Sequence, residues 1–263
     1  MTYVISDSVT MLQRNLLHIV RYPGLSVFTI LGPVVILLLT VFVFGGTLGA
    51  GLPGVEAGGG RDAYLAYVMP GILIITIAGT VSGVAITVAM DMSEGITARF
   101  RTMAISRAAV LTGHVIGNTI QAVIAVALVL GVGVLVGFRP TATPLEWLAA
   151  AGLIVLISFA LSWVGVAMGM QSKTVETASN LPLILTILPL LGSGFVPTAS
   201  MPQWLQVFAQ NQPFTPFIES SRGLLLGVSA SSTTVVLAIG WSIAIAVGGY
   251  IWSMAIFERK SVR

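Results

Sequence analysis

Apolar residues fill this chain in long runs, and polar or charged residues mark the joints between them. A helix needs about 20 apolar residues to cross the hydrocarbon of a bilayer. Six runs predict such spans, near 25–47, 64–90, 113–137, 147–170, 181–197 and 233–257. The runs are continuous rather than alternating, so they predict helices and not the strands of a barrel.

Two segments carry a different pattern. In residues 4–21, Ile5, Val9, Leu12, Leu16 and Val20 recur on one helical stripe, while Asp7, Gln13, Arg14, His18 and Arg21 fall mostly elsewhere. This predicts a helix lying in the membrane interface, broken by Pro23-Gly24 before the first span. Residues 198–230 are too apolar for an ordinary external loop. Their punctuation predicts two helices too short to span. The first follows Ser200, has Pro202 in its first turn and carries Trp204 and Phe208. An Asn211-Gln212-Pro213 turn leads to the second, with Thr215 as N-cap, Pro216 at the first helical position, Glu219 in the first turn and Gly227 at its end. Together they predict a re-entrant hairpin between spans 5 and 6, its backbone ends shielded by protein or water.

Small residues recur four apart at Gly79/Gly83, Gly113/Gly117, Gly133/Gly137 and Gly165/Gly169. Such pairs let membrane helices approach closely and are assigned to packing.

Composition excludes a soluble fold. Only 8% of residues are charged and 56% are hydrophobic, with a mean hydropathy of +1.00; soluble domains carry about 25% charge. The fold class is an all-α polytopic membrane protein with six transmembrane helices. Residues 1–24 contain no uninterrupted apolar core, so no signal peptide is expected there.

The distribution of charge sets the expected orientation. One side of the six-span arrangement collects Arg14, Arg21, Arg99, Arg101, Arg107, Lys173, Arg259, Lys260 and Arg263; the other has only Arg61, Arg139 and Arg222. The positive-inside bias places both termini and the 91–112 loop in the cytoplasm and the hairpin outside. No basic patch with interleaved aromatics exists, so a nucleic-acid partner is not expected, and the absence of cysteine removes thiolate metal sites.

The chemistry is notable for what is missing. There is no G-x-x-x-x-G-K-[ST] loop for ATP, no H-E-x-x-H and no G-x-S-x-G elbow. No acid or base falls deep within a predicted span, where a proton relay would need one. Asp91, Glu94 and His114 sit at inner ends. The chain is therefore not expected to be an enzyme or to hold a cofactor or metal itself. Three classes remain: a pathway driven by a separate ATPase, a channel or carrier needing none, and a membrane scaffold.

Two blocks bring a resemblance. E-G-I-T-A-R-F-R-T-M-A-I-S-R-A-A-V-L-T-G at Glu94–Gly113 and G-F-V-P-T-A-S-M-P-Q-W-L-Q-V-F-A-Q-N-Q-P-F-T-P-F-I-E-S-S-R at Gly194–Arg222 resemble ABC transporter type 2 permeases, in particular the daunorubicin/doxorubicin-resistance permease family. The resemblance implies an exporter in the cytoplasmic (inner) membrane. Two permease chains, identical or paralogous, would pair, and two ATPase subunits carrying ATP and Mg would dock beneath them.

The first block would be the coupling helix that contacts the ATPase, through Glu94, Gly95, Arg99, Phe100, Arg101, Met103 and Arg107. Its charges with an apolar anchor suit an interface; positive-inside topology alone also accounts for its arginines. The hairpin would cap the exit. The path for an amphipathic drug, metabolite or lipid would run along spans 2 and 5, where Thr76 and Thr80 face Leu183, Thr186, Ile187 and Leu190. Those hydroxyls either line the path or bond back to helix carbonyls.

Overall fold

The computed structural model describes residues 23–50, 60–93, 107–228 and 231–261. The predicted interfacial helix at 4–21 and the coupling residues Glu94, Gly95, Arg99, Phe100, Arg101 and Met103 lie outside the described residues.

The described residues are helical, with no strand among them. The order is α1 (Pro23–Leu39), a π-helical turn (Thr40–Phe44), α2 (Gly45–Ala50), α3 (Gly60–Ser93), α4 (Arg107–Val136), α5 (Pro144–Gln171), α6 (Val175–Asn180), α7 (Leu183–Ile187), α8 (Gln203–Asn211), α9 (Phe214–Leu226) and α10 (Ser232–Ser261). Two 3-10 turns, Leu188–Leu191 and Thr198–Ser200, stand between α7 and α8. Among the described residues, five runs are long and apolar enough to cross a membrane: Thr29–Ala50, Gly60–Ser93, Leu111–Val136, Pro144–Gln171 and Ser232–Arg259.

The run predicted as span 5, 181–197, is not one helix. It yields the five-residue α7 and the 3-10 turn at Leu188–Leu191, then leaves helical geometry at Gly192. Its sequence explains the break. Pro182, Pro189 and Pro197 each lack a backbone donor, and Gly192 and Gly194 resist helix propagation.

α3 is the hub. It touches α1, α2, α4, α5, α6, α7 and α9 and is buried on nearly every face, from Tyr64 and Leu65 through Ile72–Ile75 to Val84 and Val88. α5 is its main partner and also carries α10. The predicted Gly165/Gly169 pair forms the α3–α5 contact: a Cβ on Gly165 would stand 2.6 Å from Val84 Cγ1, and one on Gly169 would stand 2.5 Å from the Ala85 carbonyl oxygen. On the opposite side of α5, Gly249 of α10 lets that helix rest on the backbone at Trp163 and Val164. Outward faces remain apolar, as at Phe42, Leu128 and Ile251. Such surface is costly in water and matched by lipid hydrocarbon.

Helix ends follow local chemistry. α5 starts with a capping box: Thr143 Oγ1 accepts from the Glu146 backbone N–H at 3.4 Å, and Thr143 N–H donates to the Glu146 carboxylate at 2.6 Å, with Pro144 in the first turn. α4 ends where Gly137 adopts φ +124°, which directs the Phe138 N–H back to the Gly133 carbonyl at 2.8 Å.

Candidate functional site at the helix break

The break after α7 does not hang free. The backbone of Gly194 lies against that of Gly71 in α3, so that a Cβ on Gly71 would stand 2.8 Å from Gly194 Cα and 2.9 Å from its carbonyl oxygen. The adjoining turn places the Ser193 carbonyl where two side chains converge on it. Tyr67, one turn before Gly71, donates its hydroxyl to Ser193 O at 3.0 Å. Arg222 of α9 donates Nη2 to the same oxygen at 2.7 Å. Arg222 also donates Nε and Nη2 to the Tyr67 carbonyl at 3.2 and 3.1 Å, and its guanidinium lies 3.9 Å from the centre of the Tyr67 ring.

A planar guanidinium fork is suited to this double task, and the aromatic face beneath it adds cation–π attraction. Burial lowers the Arg222 pKa from its ordinary value, while Tyr67 and Glu219 act to raise it. Arginine keeps its proton in proteins, so the group is a half-buried cation.

The hairpin closes over the same turn. α8 and α9 are the two short helices expected from its punctuation, and α9 ends at Gly227 with φ +61°. α9 starts earlier than predicted. Its first residue is Phe214, and Thr215 is not the N-cap: the Thr215 hydroxyl donates back to the Ala209 carbonyl and so ties α9 to α8. Pro213 occupies the cap position instead, with Pro216 buried in the first turn. The buried Gln212 lies against the break, where a Cβ on Gly192 would stand 2.9 Å from Gln212 Nε2. Trp204 and Phe208 point outward from α8, and exposed Asn211 donates to the Val207 carbonyl at 2.8 Å. Glu219 is half-buried on α9.

The expected path residues fall into two sets. Thr76 and Thr80 are inside the core with no open surface, and their hydroxyls donate to the carbonyls of Ile72 at 2.8 Å and Ile77 at 2.7 Å. Leu183, Ile187 and Leu190 are 49, 51 and 43% exposed on the outer side of α7 and its 3-10 extension. Thr186, half-exposed, donates to the Leu183 carbonyl at 2.6 Å. Arg107 opens α4.

Sequence reasoning passed over two polar contacts at the core. Asn118 of α4 donates to Ser162 Oγ of α5 at 2.8 Å and to Thr80 Oγ1 of α3 at 3.4 Å, joining three helices. Nearer the ends of α3 and α4, His114 Nε2 meets the Asp91 carboxylate at 3.2 Å. The spacing of His114 and Asn118, four apart, was the available signal. Arg222 was visible as a charge in an apolar hairpin, but its acceptors are backbone carbonyls that no motif encodes.

Helices of this length and apolarity, packed around a buried central helix, define a multi-pass α-helical membrane protein. Comparison with known proteins narrows the class. Residues 7–226 match the ABC-2 type transporter family, and the chain belongs to it: it is an ABC-2 permease. It is 26% identical over 227 residues to the daunorubicin resistance ABC transporter permease protein DrrB1 of Streptomyces coeruleorubidus, covering 86% of this chain and 77% of the relative. It is likewise 26% identical over 241 residues to the probable doxorubicin resistance ABC transporter permease protein DrrC of Mycobacterium tuberculosis, covering 90% of this chain and 84% of that one.

Proposed function

We propose that this chain is the membrane subunit of an ATP-driven exporter. A second permease chain and two copies of a separate ATPase, the site of ATP and Mg, complete it in the cytoplasmic membrane. The observation that carries the reading is the family match across residues 7–226 in a chain with no nucleotide-binding loop of its own. In this reading six segments cross the membrane with both termini inside, the broken α7 segment being one of them.

The exposed apolar side of α7, with Leu183, Ile187 and Leu190, faces the partner permease and borders the cargo path. Thr76 and Thr80 support the core behind it. The relatives' names point to amphipathic drugs as cargo, and a metabolite or lipid has the same chemistry. The segment Glu94–Arg107 takes the ATPase contact, with Arg99, Arg101 and Glu94 supplying charge and Phe100 and Met103 the apolar anchor.

The test is co-expression with the ATPase, co-purification of the two, and cargo-stimulated ATP hydrolysis in proteoliposomes. Arg99→Glu is expected to lower export by about tenfold, a coupling change of ordinary size, with membrane insertion intact. Export by the permease alone, or unchanged export in Arg99→Glu, favours the channel or carrier reading instead.

A further inference from the structure

A proline inside the continuous helix α3 and the break after α7 lie on either side of Arg222. In α3, Pro70 has no N–H, so the Ala66 carbonyl loses its helical donor. The neighbouring carbonyl, Tyr67 O, is one that Arg222 holds. In the α7 segment, Pro189 and Gly192 end the helix, and the Ser193 carbonyl just beyond is the other that Arg222 holds. Backbone contact between Gly71 and Gly194 brings both loosened points to one level. A proline within a helix and the end of a broken one are both places where long helices bend.

We propose that Arg222 is a positioning residue for transport, one that ties the loosened points of α3 and the α7 segment into a single hinge. The hairpin helix α9 that carries it then moves with both. The functional part of this inference rests on the exporter reading; the hinge itself does not. Three features separate a hinge from a plain staple. Arg222 bonds to the carbonyl next to the one that Pro70 leaves without its helical donor, and to the first carbonyl beyond the α7 break. The Tyr67 hydroxyl backs the same Ser193 oxygen, so the connection survives partial loosening. Gly71 and Gly194 leave the facing backbones without side chains that would interlock.

The test uses the cysteine-free chain. Spin labels go on Leu190→Cys and Val228→Cys, at exposed positions across the junction. The labelled chain is diluted with unlabelled chain and placed in liposomes. The wild-type background is expected to give one narrow distance distribution, and Arg222→Met a broad or double one. Arg222→Lys, which keeps the charge but loses the fork, and Tyr67→Phe, which keeps the ring but loses one bond, fall between; both serve if Arg222→Met does not fold.

In cells also expressing the ATPase, Arg222→Met is expected to cut daunorubicin export per folded transporter by about tenfold while ATP hydrolysis stays within about twofold. An unchanged distance distribution in all three variants overturns the hinge. So does a parallel fall of export and hydrolysis with the amount of folded protein, which marks a staple of the fold. If the wild-type pair exports neither daunorubicin nor a labelled phospholipid, the exporter reading fails, and the distances still decide the hinge.

Discussion

The seam between α3 and α5 and the junction of α3 with the break after α7 are both built on glycine, and they are opposites. In the seam, Gly165 and Gly169 sit inside a continuous helix and meet Val81, Val84, Ala85 and Val88. The contact sets glycine against aliphatic side chains and helix backbone and repeats once per helical turn. At the junction, Gly71 meets a turn rather than a helix; Arg222 and the Tyr67 hydroxyl hold the Ser193 carbonyl of that turn, and Arg222 also reaches the Tyr67 carbonyl beside the one that Pro70 leaves open. Glycine within regular helices gives close, fixed packing; glycine beside proline breaks leaves polar backbone that a side chain must hold. The first arrangement suits a scaffold, the second a part that moves.

The largest effect should come from the seam. A Cβ on Gly169 would stand 2.5 Å from the Ala85 carbonyl oxygen and 3.0 Å from Ala85 Cα, and neither atom can yield without shifting α3. Gly169→Val is expected to cost about 3 kcal/mol or more, at the upper end of overpacking effects, seen as a lower melting temperature or loss of purified protein. Gly83→Ala is the matched control: nothing lies within 4 Å of its added Cβ, and a helical Gly→Ala change gains about 0.5–1 kcal/mol. Equal melting temperatures for the two would show that the seam is not tightly packed.

Gly71→Ala tests the other side. Its Cβ would stand 2.8 Å from Gly194 Cα, also backbone, but backbone of a turn flanked by glycine. The turn gives way where a helix cannot, so the expected stability cost is about 1–2 kcal/mol. In the export assay the loss should exceed what that destabilisation accounts for, since the shift displaces the Ser193 carbonyl from Arg222. Normal export in a stable Gly71→Ala chain would remove the distinction between the regions.

The difference between the regions also marks what could be read in advance. Five spans are legible as apolar runs because the bilayer asks only for length and hydropathy. The Gly165/Gly169 seam is legible because helical spacing puts both on one face. The break in 181–197 was written in Pro182, Pro189, Pro197, Gly192 and Gly194, but average apolarity hides it. Arg222 counted toward orientation and as the end of the hairpin block, while its bonds stayed hidden, because its partners are carbonyls, and carbonyls carry no residue identity. Thr215 reads as an N-cap from its neighbours alone; its actual acceptor, Ala209 O, belongs to the preceding helix.

The smallest effect is expected at Asn118, which lies between the two regimes: a polar contact within regular helices. Its amide joins α4 to Ser162 and Thr80, yet its Oδ1 is buried without a hydrogen-bond partner. Asn118→Leu removes the interhelical bonds and also relieves that unpaired oxygen, so the two terms oppose. Interhelical hydrogen bonds in membranes average about 0.6 kcal/mol, and an unpaired buried acceptor costs about 1–3 kcal/mol. The net change in melting stability should therefore lie near zero, with either sign small. A loss of several kcal/mol would mean that Asn118 holds the bundle in register and that the regular seam depends on a polar lock as the junction does. Its transport phenotype sharpens the contrast further: if only the junction moves, Asn118→Leu exports normally per folded chain.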